Sequence, residues 1–243
     1  MSGLMNELRE RGLELGAGSW ELGAGRLRTD SRKVDKGDIF ACIVGHVSDG
    51  HDFAQEAFDR GAELLIVERV LDIPVQQVLV SDARKATAVF AKYIYGNPTD
   101  KFTLIGVTGT NGKSTTTVLI EQLCGFLGYK TGLIGTLGYK IGDSFYPTER
   151  TTPDIIELNE IFVKMVEAKC DVVIMEVSSH ALALERVYSL NYKIGVFTNL
   201  SQDHLDFHHT MDKYGEAKFK LFEMVEENKG LNIINTDDEC GKR

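Results

Sequence analysis

One junction constrains the fold of this 243-residue chain more than any other: the apolar run FTLIGVT (102–108) passes directly into GTNGKSTTT (109–117). The run is rich in strand formers and lacks polar alternation, so it predicts a strand buried on both faces. Gly109 and Gly112 permit tight backbone bending, and a helix is expected from about 113 to 127. At such a junction the backbone N–H groups and the helix dipole converge on an anion. Lys113 adds a charge for β- and γ-phosphates, and the Ser114 hydroxyl is a ligand for Mg²⁺. The stretch departs from the general pattern G-x-x-x-x-G-K-[ST], which would need glycine where this chain has Val107. Val107 is read as the last residue of the strand. The competing reading is a glycine-rich turn with an exposed lysine.

Short strands alternate with helices on both sides of this junction. Upstream, strands are predicted over 39–44, 64–67 and 78–80, with helices over 51–62 (Gly61 as C-cap) and from Asp82 to about Tyr95. Gly96-Asn97-Pro98-Thr99 breaks the pattern and marks a boundary between domains 1–98 and 99–243. Downstream, Thr152-Pro153-Asp154 reads as a helix start with Thr152 as N-cap, followed by apolar residues on one face through Val166. Strands over 171–177, 193–199 and 231–235 and a helix over 211–227 complete the alternation. The expected fold is α/β: right-handed βαβ units in a doubly wound parallel sheet. ELGAG occurs at 14–18 and again at 21–25, and is read as a turn-rich lead-in.

The net charge of −9 argues against a nucleic-acid partner. Four cysteines without a C-x-x-C pair point to reduced thiols rather than a disulfide framework or metal knuckle. The charged N-terminus does not resemble a signal peptide, and no stretch approaches the ~18 apolar residues of a membrane span. A cytoplasmic protein is expected.

TGTNGKS (108–114), DSRKVDKGDIFACIVGHVSDGHDF (30–53), RTTPD (150–154), MEVSSHALALERV (175–187) and FTNLSQDHLDFHHTMDKYGEAKFKLF (197–222) resemble the Mur ligase family, in particular the member that adds the third residue of the peptidoglycan stem peptide. The resemblance implies a small N-terminal UDP-MurNAc-binding domain and a central P-loop ATP-binding domain that is incomplete at its C-terminal end. The family's third domain, which binds the incoming amino acid through a D-N-P-R-type segment, is expected to be absent from this chain, leaving little or no turnover. The implied reaction is ATP-dependent amide formation through an acyl phosphate. The implied partners are UDP-MurNAc-L-Ala-D-Glu and a diamino acid, with meso-diaminopimelate expected and L-lysine the alternative, and a monomer is implied.

The resemblance also assigns residues. Gly109, Thr110, Asn111, Gly112, Lys113, Ser114 and Thr115 correspond to the ATP loop. Ser114, Glu176, His204 and Lys218 correspond to ligands for two Mg²⁺ ions, Lys218 after its amine has taken up CO₂ as a carbamate. Lys113, Glu176, His204 and Lys218 form the catalytic set. Ser31 and His46 correspond to contacts with uridine diphosphate, and Thr151, Thr152, Ser178 and Arg186 to contacts with the muramoyl-peptide. Leu184 stands where many relatives carry Gln.

From spacing alone, Lys218 shares a helix face with Tyr214, Leu221, Phe222 and Val225 and reads as a lysine with a buried stem, while Lys220 is expected to face solvent. His180 is open between a substrate contact and a supporting residue, and His209 reads as surface. Two other functions are weighed: a non-catalytic module sensing UDP-muramoyl-peptide or nucleotide, and a generic P-loop kinase or NTPase.

Overall fold

The computed structural model describes residues 2–16, 23, 25–45 and 48–242. His46 and half of the residues in the two ELGAG copies therefore lie outside the described residues. The chain forms two compact units, Met1–Gly96 and Asn97–Arg243. They divide where Asn97 takes a left-handed φ of 51° before Pro98 opens a one-turn helix.

The first unit holds a four-stranded parallel sheet of β1 (Leu27–Arg28), β2 (Ile39–Ala41), β3 (Leu64–Val67) and β4 (Gln76–Leu79), adjacent in chain order. Helices α1 (Ser2–Glu10), α2 (Ala54–Asp59) and α3 (Ala83–Ile94) accompany it, and Phe40, Cys42, Ala54, Ala57, Leu65 and Val67 form a shared core. Asp82 caps α3 by accepting from the Lys85 N–H. The strand expected over 39–44 stops at Ala41. Gly50 N–H donates to the Ile43 carbonyl and Val44 bridges Asp49, so the chain folds back there. The helix expected over 51–62 is instead a 3₁₀ turn, Gly50–Phe53, capped by Asp49, and then the short α2.

The second unit holds seven strands: β5 (Thr103–Thr108), β6 (Thr131–Gly135), β7 (Gly138–Ile141), β8 (Ser144–Tyr146), β9 (Val172–Glu176), β10 (Tyr192–Phe197) and β11 (Leu231–Ile234). Their order is β11-β10-β5-β9-β6-β7-β8. The first five run parallel, and β7 and β8 add an antiparallel hairpin edge. Helices α4 (Lys113–Phe126), α5 (Ile155–Glu167), α6 (Ser179–Ala183), α7 (Leu205–His208) and α8 (Met211–Glu227) connect them.

Strand alternation assigns the faces. Ile105 and Val107 pack with Ile120 and Cys124 of α4, whereas a Cβ on Gly106 between them would press on Leu221 of α8. Likewise Leu133 joins the α4 side, while Gly132 faces Met165 of α5. Helices thus cover both faces, as the doubly wound reading requires. β5 runs one residue beyond Val107, to Thr108. Thr152 does not cap α5. Asp154 does, accepting from the Ile156 and Glu157 N–H groups, because Thr152 is committed elsewhere.

Candidate functional site

β5, β9 and β10 end side by side, with Val107 paired to Glu176 and Thr108 to Phe197. The carboxyl ends of parallel strands are where such sheets place ligands. The loop after β5 is pinned to the segment after β10: Thr110 N–H donates to the Asn199 carbonyl (2.8 Å), Asn111 N–H to Asn199 Oδ1 (3.0 Å), and Thr198 Oγ1 to the Asn111 carbonyl (2.7 Å). Gly109 has φ +149°, and any side chain there would collide with the Thr198 hydroxyl. Gly112, at φ +81°, is the N-cap of α4 and no side chain caps that helix. The N–H groups of a helix's first turn have no intrahelical acceptor, so the amino end of α4, with Ser114 and Thr115 exposed, is available to an anion.

Two lysines converge on one carbonyl of this loop. Lys113 Nζ donates to Gly109 O (3.0 Å) and Thr110 O (2.9 Å), and Lys218 Nζ donates to the same Gly109 O (2.8 Å). Lys218 is 2% exposed, with Nζ 4.4 Å above the centre of the Tyr214 ring. Burial, then the neighbouring Lys113 charge, pushes the Lys218 amine down to about 7, with Asp203 opposing. Burial also lowers Lys113, against the pull of Glu176 and Asp203. Lys220, expected to face solvent, is instead half-buried and paired with Glu185 at 2.7 Å.

Glu176 is 3% exposed and held at both ends. Thr136 donates its N–H to Oε1 (2.9 Å) and its hydroxyl to Oε2 (3.3 Å). Thr152 donates its hydroxyl to the Glu176 carbonyl (2.9 Å) and accepts from the Ser178 N–H (3.1 Å). Thr151 lies 3.2 Å from the Thr136 hydroxyl, and Ser178 caps α6 through the Ala181 N–H. A cleft of about 230 Å³ joins Ser114 and Glu176, with Leu137 and Phe145 on its wall.

His204, at a left-handed φ of 51°, is the exposed N-cap of α7, 3.4 Å from Asp203. Its ring meets His180 edge-on at 4.7 Å and lies 6.1 Å from Tyr214. His208 is buried and pairs with Ser179 Oγ at 2.9 Å. Burial lowers the His180 imidazole, helped by His204 and by the Arg186 charge. His209 is exposed. Lys113, Ser114, Glu176, His204 and Lys218 thus border one region. Thr136, Asp203, Tyr214 and His208 join it without having been singled out as site residues from sequence.

Among the described residues no three His, Cys, Asp or Glu side chains form a metal cage. The donors present are a hydroxyl, a buried carboxylate and an imidazole beside an amine, and the hard oxygens among them suit Mg²⁺. In the first unit Ser31 is buried and donates to Glu56 Oε2 (2.7 Å) on the edge of a cleft of about 450 Å³, which also takes in Arg32, Gly45 and Phe53. No described helix is long and apolar enough to cross a membrane.

Residues 107–243 match the family model described as Mur ligase middle domain, and residues 26–95 match the model described as Mur ligase family, catalytic domain. The chain is 49% identical over 217 residues to the UDP-N-acetylmuramoyl-L-alanyl-D-glutamate–2,6-diaminopimelate ligase of Geobacillus kaustophilus, covering 87% of this chain and 44% of that protein. It is 46% identical to the Bacillus cereus protein of the same name, with the same coverage. A solved structure of a ligase so named superposes with a TM-score of 0.80 at 28% identity, covering 94% of this chain and 47% of the other. MurF from Acinetobacter baumannii shares the fold, with a TM-score of 0.59 at 20% identity over 88% of this chain and 44% of its own. The chain thus spans under half the length of the relatives it matches.

Proposed function

The chain belongs to the Mur ligase family, and we propose that it carries the nucleotide-sugar and ATP-phosphate sites of a cytoplasmic, monomeric ligase that adds meso-diaminopimelate to UDP-MurNAc-L-Ala-D-Glu. The observation that carries this reading is the convergence on Gly109: an uncapped helix amino end, two lysines and the ordered Glu176 carboxylate meet where three parallel strands end. In the proposed reaction a substrate carboxylate oxygen attacks the γ-phosphorus of ATP, and ADP leaves with the bridging oxygen. The amine then attacks the acyl phosphate, loses a proton and expels phosphate. Two anions must approach each other in the first step, so positive charge and N–H donors have to offset their repulsion.

Each residue has a physical task in this scheme. Residues 109–115 cradle the phosphates, with Lys113 transferring from the Gly109 and Thr110 carbonyls to phosphate oxygens. Ser114, Glu176, His204 and carbamylated Lys218 would hold Mg²⁺, which supplies charge neutralisation at the transferring phosphoryl group. Thr151, Thr152, Ser178 and Arg186 would position the muramoyl-peptide, and Ser31 the uridine diphosphate together with His46.

Lys218 is suited to carbamylation. A neutral amine attacks the carbon of CO₂, one C=O electron pair moves to oxygen, and the amine proton leaves. With its amine at about 7, Lys218 supplies the neutral form near neutrality. The product places an anion beside Lys113 in place of a second cation on the Gly109 carbonyl.

Calorimetry with UDP-MurNAc-L-Ala-D-Glu, and separately with ADP plus Mg²⁺, tests the reading. Both ligands are expected to bind this chain. Lys113→Ala weakens the nucleotide by tenfold or more (about 1.4 kcal/mol), and Ser31→Ala weakens only the nucleotide sugar. Failure of the wild-type chain to bind either ligand sinks the proposal.

A further inference from the structure

Thr136 has no part in the reaction as proposed above, yet both oxygens of the Glu176 carboxylate rest on it. Sheet register puts it there. β6 runs parallel to β9 with Ile134 opposite Met175, so the chain leaving β6 passes directly over Glu176. A two-residue loop, Thr136-Leu137, closed by the Gly135–Gly138 pair, then returns the chain into β7. Gly135 is part of the same device, because any Cβ on it would collide with the Glu176 carboxylate. Gly138 takes φ +128°, a conformation side chains disfavour, to let the loop close so tightly. The loop tip therefore delivers one N–H and one hydroxyl to a carboxylate that is 3% exposed.

The Thr136 hydroxyl has a second neighbour, Thr151 Oγ1 at 3.2 Å. When Thr136 donates its only hydroxyl proton to Glu176, the proton between the two threonines must come from Thr151. The result is a directed chain, Thr151 to Thr136 to Glu176. It joins a residue read as a muramoyl-peptide contact to a residue read as a metal ligand.

We propose that Thr136 is a positioning residue that orients the Glu176 carboxylate for Mg²⁺ and links that orientation to Thr151 in the muramoyl-peptide site. The proposal rests on the reading of Glu176 as a magnesium ligand. Partners that orient a metal-ligating group typically change metal affinity by roughly 10–100-fold when removed. Here the backbone N–H survives replacement by valine or serine, so the lower end of that range applies.

The test is Mg²⁺-dependent ADP binding by calorimetry on the wild-type chain, Thr136→Val and Thr136→Ser, with thermal melts to confirm folding. Thr136→Val is expected to weaken ADP about tenfold when Mg²⁺ is present and to leave ADP affinity in EDTA unchanged. Thr136→Ser, which keeps the hydroxyl, is expected to stay within about twofold of wild type. UDP-MurNAc-L-Ala-D-Glu is expected to shift the Mg²⁺–ADP affinity of wild type and Thr136→Ser, and to shift that of Thr136→Val less. Equal Mg²⁺ dependence in Thr136→Val and wild type overturns the positioning role while leaving the reading of the site intact. Equal loss in Thr136→Ser and Thr136→Val also overturns it, since a packing defect and not the hydroxyl would then be responsible. Absence of Mg²⁺–ADP binding in the wild type removes the reading itself and the proposal with it.

Discussion

Lys218 is a buried amine whose hydrogen-bond acceptor is a backbone carbonyl already shared with another lysine. The cost of that placement is measurable. Below pH 7 the folded chain must keep a proton on a buried amine, whereas the unfolded chain holds it up to 10.5, so the penalty is full there and fades as pH rises toward 10.5. Each pKa unit corresponds to about 1.4 kcal/mol. Lys218→Met is therefore expected to stabilise the chain by about 2 kcal/mol or more in urea titrations at pH 6 in CO₂-free buffer. The gain should shrink at pH 9, and a destabilised variant at pH 6 would refute the argument. The same amine should take up labelled bicarbonate increasingly between pH 6 and 8, as a ¹³C carbamate signal absent from Lys218→Met. Spacing alone made Lys218 look like a lysine with a buried stem and a solvated head. The structure buries the head as well, and that extra step depends on the Gly109 carbonyl, 109 residues away in sequence. Thr152 illustrates the same limit. Its sequence context suits an N-cap, but its hydroxyl donates to the Glu176 carbonyl at the end of β9 and accepts from the Ser178 N–H. Thr152→Val would deprive the buried Glu176 carbonyl and the part-buried Ser178 N–H of this partner and is expected to cost about 1–3 kcal/mol in a urea titration.

Among the elements, the strand–loop–helix junction at 103–126 and α8 were legible because each carries an unmixed signal: a buried apolar run, two glycines, and a 17-residue amphipathic period. The hairpin β6–β7–β8 was not. TGLIGTLGYKIGDSFY (131–146) mixes glycine, lysine and aromatics, and its first turn is Thr-Leu, not the Asn-Gly or Asp-Gly pair that announces a two-residue loop. Thr136 was invisible for the same reason, since a threonine in a glycine-rich stretch has meaning only once β6 is registered against β9. β1 and α6, at two and five residues, are too short to carry a period. The phosphate loop is the element where backbone demands are strictest. Gly109→Ala combines a collision with the Thr198 hydroxyl and an unfavourable φ, so it must push the loop off the segment after β10. Loss of Mg²⁺–ADP binding by more than tenfold, with a melting temperature lowered by only a few degrees, is the expected result. Retained binding would show that the loop tolerates the displacement.

At the scale of the whole chain, each unit has its own sheet and its own buried cluster, and each carries one of the candidate sites. A ligand stabilises the part that binds it by RT ln(1 + [L]/Kd), about 2.7 kcal/mol at a hundredfold excess over Kd. If the clefts are used as proposed, the two ligands should write separate patterns in hydrogen exchange. The nucleotide sugar should slow exchange around the Ser31 turn and in β2, because its uridine-diphosphate end would occupy the cleft lined by Ser31 and by Phe40 of β2. Mg²⁺–ADP should slow exchange in residues 109–116 and at the ends of β9 and β10, where the loop's own hydrogen bonds to Asn199 would tighten. If Thr151 and Thr152 hold the muramoyl-peptide as proposed, that ligand should also slow exchange at Thr136 and Ser178, whereas Mg²⁺–ADP should leave the Ser31 turn unaffected. Uniform protection by either ligand across both units would contradict this division of labour. Protection of residues 109–116 by the nucleotide sugar alone would place its binding on the phosphate loop instead of the Ser31 cleft.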